Sequence, residues 1–262
     1  MIAREVYVAR AVLILVILTF LGTRGEIPLR NRRHRMHSSL LVSHRGGRVM
    51  IDCGLDWINA VWRLRPPPHA IVLTHAHPDH AWGLRNGAPS PVYATRQTWR
   101  GIADFPIAQK RVVRQRRPFE VKGIWFEAFA VEHSILAPAV GYRIWSGESG
   151  GACLFYVPDV VFIHQRRAAL SGVKLYVGDG ATIRQPLVRR RGERGENLIG
   201  HAPVSAQLTW CRKAGIAQAI ITHCGSGIVS AEPQAAAAIS ALAEQREVGA
   251  HIAYDGMKFS IP

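Results

Sequence analysis

The sequence predicts an α/β fold, a four-layer αββα sandwich with two mixed sheets face to face and helices outside. Three observations lead there. Apolar runs of strand length recur from one end of the 262 residues to the other. Helix-length amphipathic stretches interleave with them, as α/β layer packing requires. No Ser/Gly-rich linker interrupts the alternation, nor does any repeat of about 20–50 residues, the period of solenoids and propellers. An apolar content of 48% is ample for a core and excludes wholesale disorder.

The elements follow in order. Residues 11–21 form an apolar run behind Arg4, Glu5 and Arg10. The run is too short for a spanning helix, which needs about 20 residues. Residues 22–26 offer no small-residue cleavage site, which argues against a signal peptide. Its β-branched content and the stop at Gly22 and Gly25 read as an inner strand. Residues 1–16 are expected to be an extension or a misassigned start, and 17–262 one domain. Residues 39–43 and 48–53 read as a hairpin around Gly46-Gly47, and Pro66-Pro67-Pro68 leads into a strand at 70–73. Further strands are expected at 91–93, 123–131, 139–145, 152–157, 173–177 and 217–222, with helices at 97–103, 204–213 and 231–245. Residues 184–197 carry five arginines without apolar rhythm and read as a surface insertion.

Cys53, Cys153, Cys211 and Cys224 are scattered, with no Cys-x-x-Cys spacing, which favours a reducing cytoplasm. Lys and Arg number 33 against 18 Asp and Glu, a formal charge of +15 that attracts anions such as phosphate esters or nucleic acid. Solvated arginine-rich loops explain the same composition equally well. No interleaving of aromatic and basic residues marks a nucleic-acid stacking face.

Chemistry concentrates at residues 74–80, Thr-His-Ala-His-Pro-Asp-His. In extended backbone, residues two apart point the same way, so His75 and His77 can grip one ion together. Pro78 suits a first helical turn, from which Asp79 and His80 face a neighbouring position for a second ion. Imidazole and carboxylate without thiolate suit Zn²⁺, with Mn²⁺ or Fe²⁺ as alternatives. The competing reading is a solvated loop that happens to be rich in histidine.

Behind the apolar run Ala-Ile-Val-Leu, His75-Ala-His77-Pro-Asp79-His80 resembles the signature of the metallo-β-lactamase-fold hydrolase superfamily. The resemblance extends over roughly residues 19–262 and begins with Phe20-Leu-Gly22-Thr. It implies two divalent metal ions, with a lone His, a bridging acid and a final His following the first motif. Val131-Glu-His133-Ser supplies the candidate that completes the first ion's three histidines. Tyr156-Val-Pro-Asp159 supplies the bridging acid, and Ile220-Ile-Thr-His223 the second ion's remaining ligand. Each follows a strand-like run, where open sheets present functional loops. Asp52, ahead of Cys53-Gly54, matches an acid that steadies a ligand histidine from behind.

Later segments point within the superfamily. Gly200-His201-Ala-Pro-Val-Ser205 resembles a phosphodiesterase segment whose histidine protonates the leaving oxygen. The alternative for His201 is a residue that satisfies backbone groups at a helix start. The ending Ala253-Tyr-Asp255-Gly-Met257 is similar to cyclic phosphodiesterases, and Asp179 in Val177-Gly-Asp179-Gly stands where those carry another acidic strand end. Asp179 is expected to support a ligand from behind, and Asp255 to be structural or to act in the same way. Departures limit the likeness: no cysteine spacing matches the structural zinc of those phosphodiesterases, and residues 184–197 are short for the tRNA-binding arm of ribonuclease Z. Glu132 stands before His133 where glyoxalase-II thioesterases have a Gly-His pair. The β-lactamases use cysteine where Asp159 stands.

The implied activity is dinuclear hydrolysis of a small or cyclic phosphate ester through a metal-bridging hydroxide, with Asp79 and His201 as catalytic residues. The rivals are a ribonuclease Z-like RNA endonuclease, a lactonase or thioesterase, and a non-catalytic metal-dependent binding protein. The expected partner is a small anionic substrate. Nucleic acid and a homodimer remain open, and no stable membrane span is expected.

Overall fold

A computed structural model describes residues 16–147, 153–192 and 197–261. The expected extension at 1–16 therefore lies outside the described residues except for Val16, which is buried in the first strand.

Seven strands make the first sheet: β1 (Val16–Gly22), β2 (Ser39–His44), β3 (Gly47–Ile51), β4 (Ala70–Val72), β5 (Val92–Thr95), β6 (Lys110–Val113) and, returning from the far end of the chain, Lys258–Ile261. That last strand pairs antiparallel with β1, Val16 opposite Ile261. The second sheet holds β7 (Phe119–Val121), β8 (Ile124–Glu132), β9 (Ala139–Ser146), β10 (Cys153–Val157), β11 (Phe162–Ile163), β12 (Leu175–Asp179), a strand at Gln218–Thr222 and one at Gly249–Ile252. An exposed hairpin, β13 (Leu187–Arg191) with β14 (Asn197–His201), stands apart from both. The Gln218–Thr222, Gly249–Ile252 and Lys258–Ile261 strands are β15, β16 and β17.

Alternation along the strands builds the layers. In β2, Leu40 and Val42 join Val49 and Ile51 of β3 in a core shared with Phe126, Tyr142, Leu154, Tyr156, Val177 and Ile220 of the second sheet. The intervening Leu41, Met50 and Ile71 face the other way, onto Trp57, Ala81, Leu84 and Ile102 of the helical turns outside the first sheet. Phe129, Phe155, Tyr176 and Ile221 likewise leave the shared core and meet Leu208 and Cys211 of α4 (Val204–Ala214) and Ile239 and Leu242 of α6 (Glu232–Glu244). Two sheets share one interior and each has a helical outer layer, as the sequence predicts. The short helices are α1 (Pro78–Ala81), α2 (Arg96–Gly101), α3 (Arg166–Leu170) and α5 (Ser226–Val229).

The arginine-rich stretch at 184–197 lies at the surface and carries regular structure that the sequence did not announce: Leu187–Arg191 is a strand paired with Asn197–His201, Leu187 opposite His201. Its apolar rhythm is weak because all five β13 residues are exposed, so no buried face imposes alternation. Residues 193–196 lie outside the described residues. Edge strand β6 escapes the sequence reading for the same reason, three of its four residues being exposed, while β16 and β17 do alternate but over only four residues each.

Candidate metal centre

Strand ends deliver the functional side chains. β4 runs into Thr74, His75 and His77, and extended backbone at His77 turns into α1 with Pro78 in its first turn. β8 ends at Glu132 before His133, β10 ends at Val157 before Asp159, and β15 ends at Thr222 before His223. β10, β12 and β15 are parallel neighbours, so Asp159, Asp179 and His223 emerge at one edge of the sheet. His201 closes β14 from the hairpin.

All ten site residues expected from the sequence converge. Three sets of donor atoms each lie within 4.8 Å of one another: His75, His77, His133 and Asp159; then Asp79, His80, Asp159 and His223; then Asp159, Asp179, His201 and His223. Asp159 belongs to every set. Its Oδ2 stands 3.2 Å from His75 Nε2, 3.3 Å from His133 Nε2 and 3.0 Å from His80 Nε2. Its Oδ1 stands 3.0 Å from His223 Nδ1. Yet His80 Nε2, Asp159 Oδ1 and His223 Nδ1 are buried without hydrogen-bond geometry to any partner among the described residues. Leaving one such atom unpaired costs about 1–3 kcal/mol. Three of them aimed at a common space, in an all-imidazole and carboxylate set, fit divalent cations.

The outward nitrogens are tied down, which turns the inner lone pairs toward that space. Asp52 supports both first-motif sets at once. Its Oδ2 accepts from His80 Nδ1 at 2.9 Å, and its carboxylate accepts from the Thr74 hydroxyl, which in turn accepts from His75 Nδ1 at 2.9 Å. His133 Nδ1 donates to the Gly200 carbonyl at 2.9 Å, while Gly200 N–H donates back to the His133 carbonyl. Asp179 Oδ2 accepts from His201 Nδ1 at 2.8 Å and from Val160 N–H. Buried Gln207 grips the Asp179 backbone, accepting from its N–H and donating to its carbonyl. Asp255 sits outside the cluster and accepts from Thr23, Arg35 and Met36, so its role is to fix the 23–36 loop.

Charges follow the same layout. Burial by itself would raise the Asp159 carboxyl, but the imidazoles of His223, His133 and His80 together hold it well below the usual range. Burial drives His75 well down, and His77 falls to about 4 through burial and the neighbouring His133. In His80 and His223 the opposing burial is overcome by Asp79 and Asp159, which hold both well above the ordinary value. His201 is raised as Asp179 outweighs its burial.

The cluster forms the floor of a cavity of about 1070 Å³. His77, Asp79, His133, Asp159, His201 and His223 open onto it.

A family model described as the beta-lactamase superfamily domain matches residues 47–224, more than half of the chain. The chain belongs to this superfamily. Among curated relatives it resembles a ribonuclease Z of Methanopyrus kandleri, 28% identical over 177 residues and 62% of each chain. A ribonuclease Z of Bradyrhizobium diazoefficiens is 40% identical over 70 residues, 26% of this chain and 22% of that one. The superfamily member thus spans less than two thirds of the length of these curated relatives. In structure it resembles the metallo-β-lactamase fold protein YhfI of Bacillus subtilis, with a TM-score of 0.72, 14% identity and coverage of 94% and 99%. It also resembles Zn²⁺-bound PqqB of Methylobacterium extorquens, with 0.69, 21% and coverage of 93% and 99%. A diphosphatase of the PhnP family gives 0.64, 20% and coverage of 94% and 98%. At these identities the structural likeness establishes the fold, which is the one expected.

Several residues of the superfamily site escape sequence reasoning. Gly25 packs so close to His223 that a Cβ there would stand 2.9 Å from the ring. Buried Arg24, paired with Asp56 and bonded to the Ile27 and Arg35 carbonyls, fixes the loop that brings Gly25 in. Glu26 lies against Asp79 at the cavity rim, its carboxyl raised by partial burial and by Asp79. Only the Gly25 position carried a local signal, a glycine just beyond a strand end.

Proposed function

We propose that this chain is a dinuclear metal-dependent hydrolase acting on a small or cyclic phosphodiester. The observation that carries the reading is Asp159, one carboxylate common to all three largely buried donor sets on the floor of a cavity. His75, His77, His133 and Asp159 would hold one ion, and Asp79, His80, Asp159 and His223 the other. Zinc suits these donors best, with manganese or iron as alternatives. Bound ions of this kind activate water at neutral pH and act as Lewis acids on a phosphoryl oxygen.

The chain's own residues do the rest. Asp52, through Thr74 and directly, fixes the tautomers of His75 and His80 so that Nε2 of each offers a lone pair. Asp179 holds His201 by Nδ1, which leaves Nε2 on the cavity side to protonate a leaving oxygen. A positioned general acid contributes about 10²–10⁴-fold. Arg184, exposed on the cavity wall, is placed to meet an anionic group.

A ribonuclease Z-like cleavage of RNA is the second reading. It is supported by the curated relatives and by the exposed arginines of β13, the strand whose Leu187 lines the cavity. The four cysteines are buried and free, which fits a reducing, cytoplasmic setting. Among the described residues no helix is long and apolar enough to cross a membrane.

Bis(p-nitrophenyl) phosphate tests the reading directly. Hydrolysis by metal-loaded protein, lost with chelator and restored by Zn²⁺ or Mn²⁺, is the expected result. No turnover of phosphodiester, lactone or thioester by protein of full metal content would leave a binding protein instead.

A further inference from the structure

The cavity has two chemically distinct halves. One is the histidine and aspartate floor. The other is an apolar wall made by Ile27, Ile183, Leu187, Ile199 and Ile228. Leu187 and Ile199 come from the hairpin and stand on the strand face that also carries His201, since Leu187 pairs with His201 and Arg189 with Ile199. Leu187 is 53% exposed although it lines the cavity, so an apolar surface is held open beside the candidate general acid.

The protein's charge makes this wall informative. With 33 Lys and Arg in the chain, Arg184 is the one such residue lining the cavity among the described residues. A cavity shaped for a polyanionic strand would gather its cations along the path of the backbone, because phosphate neutralisation supplies most of the affinity. Here, among the described residues, Arg184 alone lines the cavity, Arg189 sharing the hairpin face without lining it, and the surface next to the reacting centre is aliphatic. The volume of about 1070 Å³ is at the upper end for small-molecule pockets, far more than a bare phosphate fills.

We infer that the substrate is a small ester whose one arm is a bulky aliphatic or aromatic group, seated against Ile183, Leu187 and Ile199 while its anionic centre meets the histidine floor. The inference rests on the hydrolase reading and names its substrate class. The occupant is a small molecule because the apolar wall and the reacting centre are continuous in one cavity. Leu187 and Ile199 then act as specificity residues, reading chain length rather than charge.

Two measurements test it. Titration calorimetry of alkylphosphonates from methyl to octyl, on protein with and without Zn²⁺, reads the wall without any reaction. Affinity is expected to rise with length by up to about fourfold per buried methylene. Turnover of alkyl p-nitrophenyl phosphodiesters of the same lengths reads the wall in the reaction, with kcat/KM rising in parallel. Leu187→Ser and Ile199→Ser should lose more for octyl than for methyl, and Leu187→Met should restore the slope. If the methyl diester is hydrolysed but affinity and kcat/KM stay flat with length, the apolar-arm inference is overturned and the hydrolase reading stands. If affinity climbs with length but no diester is turned over, the hydrolase reading falls, and the wall then recognises the apolar arm of a ligand rather than of a substrate. Displacement of octylphosphonate by a short single-stranded RNA at equal concentration would also overturn the inference.

Discussion

Behind the cavity floor every candidate ligand histidine of the first motif is braced: His75 by Thr74, His77 by Ser134 and His80 by Asp52, each through the ring nitrogen that faces away from the donor cluster. The hairpin wall shows the opposite construction. All five residues of β13 are exposed, and β14 is only partly buried. Among the described residues Gly200 ties it to the floor, its N–H donating to the His133 carbonyl and its carbonyl accepting from His133 Nδ1, along with His201 on Asp179. The floor has the rigidity that a fixed chemistry needs, since ligands held by buried partners keep their orientation. The wall can change residue by residue at little cost to the fold, which is where selectivity between substrates is best carried.

Substitutions on either side test this contrast. Asp159→Asn should have the largest effect, abolishing diester hydrolysis and lowering both metal equivalents together in elemental analysis. One equivalent bound at full strength would disprove a shared carboxylate. His201→Ala should keep both metals and slow esters with poor leaving groups by about 10²–10⁴-fold, with a smaller loss for p-nitrophenolate. An undiminished rate with the poor leaving groups would remove the proton-donor role. Asp52→Ala should weaken metal binding by about 10–100-fold, because it releases His80 directly and His75 through Thr74. Competition with a chelator measures that. Gly200→Ala tests the Gly200–His133 link between the two regions. Its Cβ would meet the Leu187 carbonyl oxygen at 1.8 Å, at a φ of 123° that L side chains avoid. Strain of this kind costs about 1–3 kcal/mol, read by denaturant unfolding, and His133 should loosen with it. The smallest effect is expected for Arg189→Ser and Arg191→Ser, exposed on the hairpin, at under about 0.5 kcal/mol. A larger loss of stability would mean the wall is as tightly built as the floor.

Legibility in the sequence followed burial. Strands with a buried face, such as β8 to β10, announce themselves because alternate residues must enter the shared core. Exposed β13 faces no such demand, so its pairing comes from backbone hydrogen bonds that any residue can make. The donor list was readable for a similar reason: two-residue spacing in His75 and His77 and strand-end positions for His133, Asp159 and His223 are local properties. Asp79 and His80 follow from the turn that Pro78 permits.

What the chain alone determined is therefore which atoms are offered: imidazole and carboxylate at strand ends, in a framework set by alternating apolar residues. Only the tertiary structure decided how they are shared. Asp159 reaches every donor set, Gly200 locks a histidine 67 residues earlier, and buried Arg24 fixes the loop that brings Gly25 against His223. Those contacts join segments distant in the chain, and their distances are set by the packing of two sheets, which no local pattern encodes. The apolar wall belongs to the same class, since Ile27, Leu187 and Ile228 become neighbours only when a loop, a hairpin and a short helix close around one cavity.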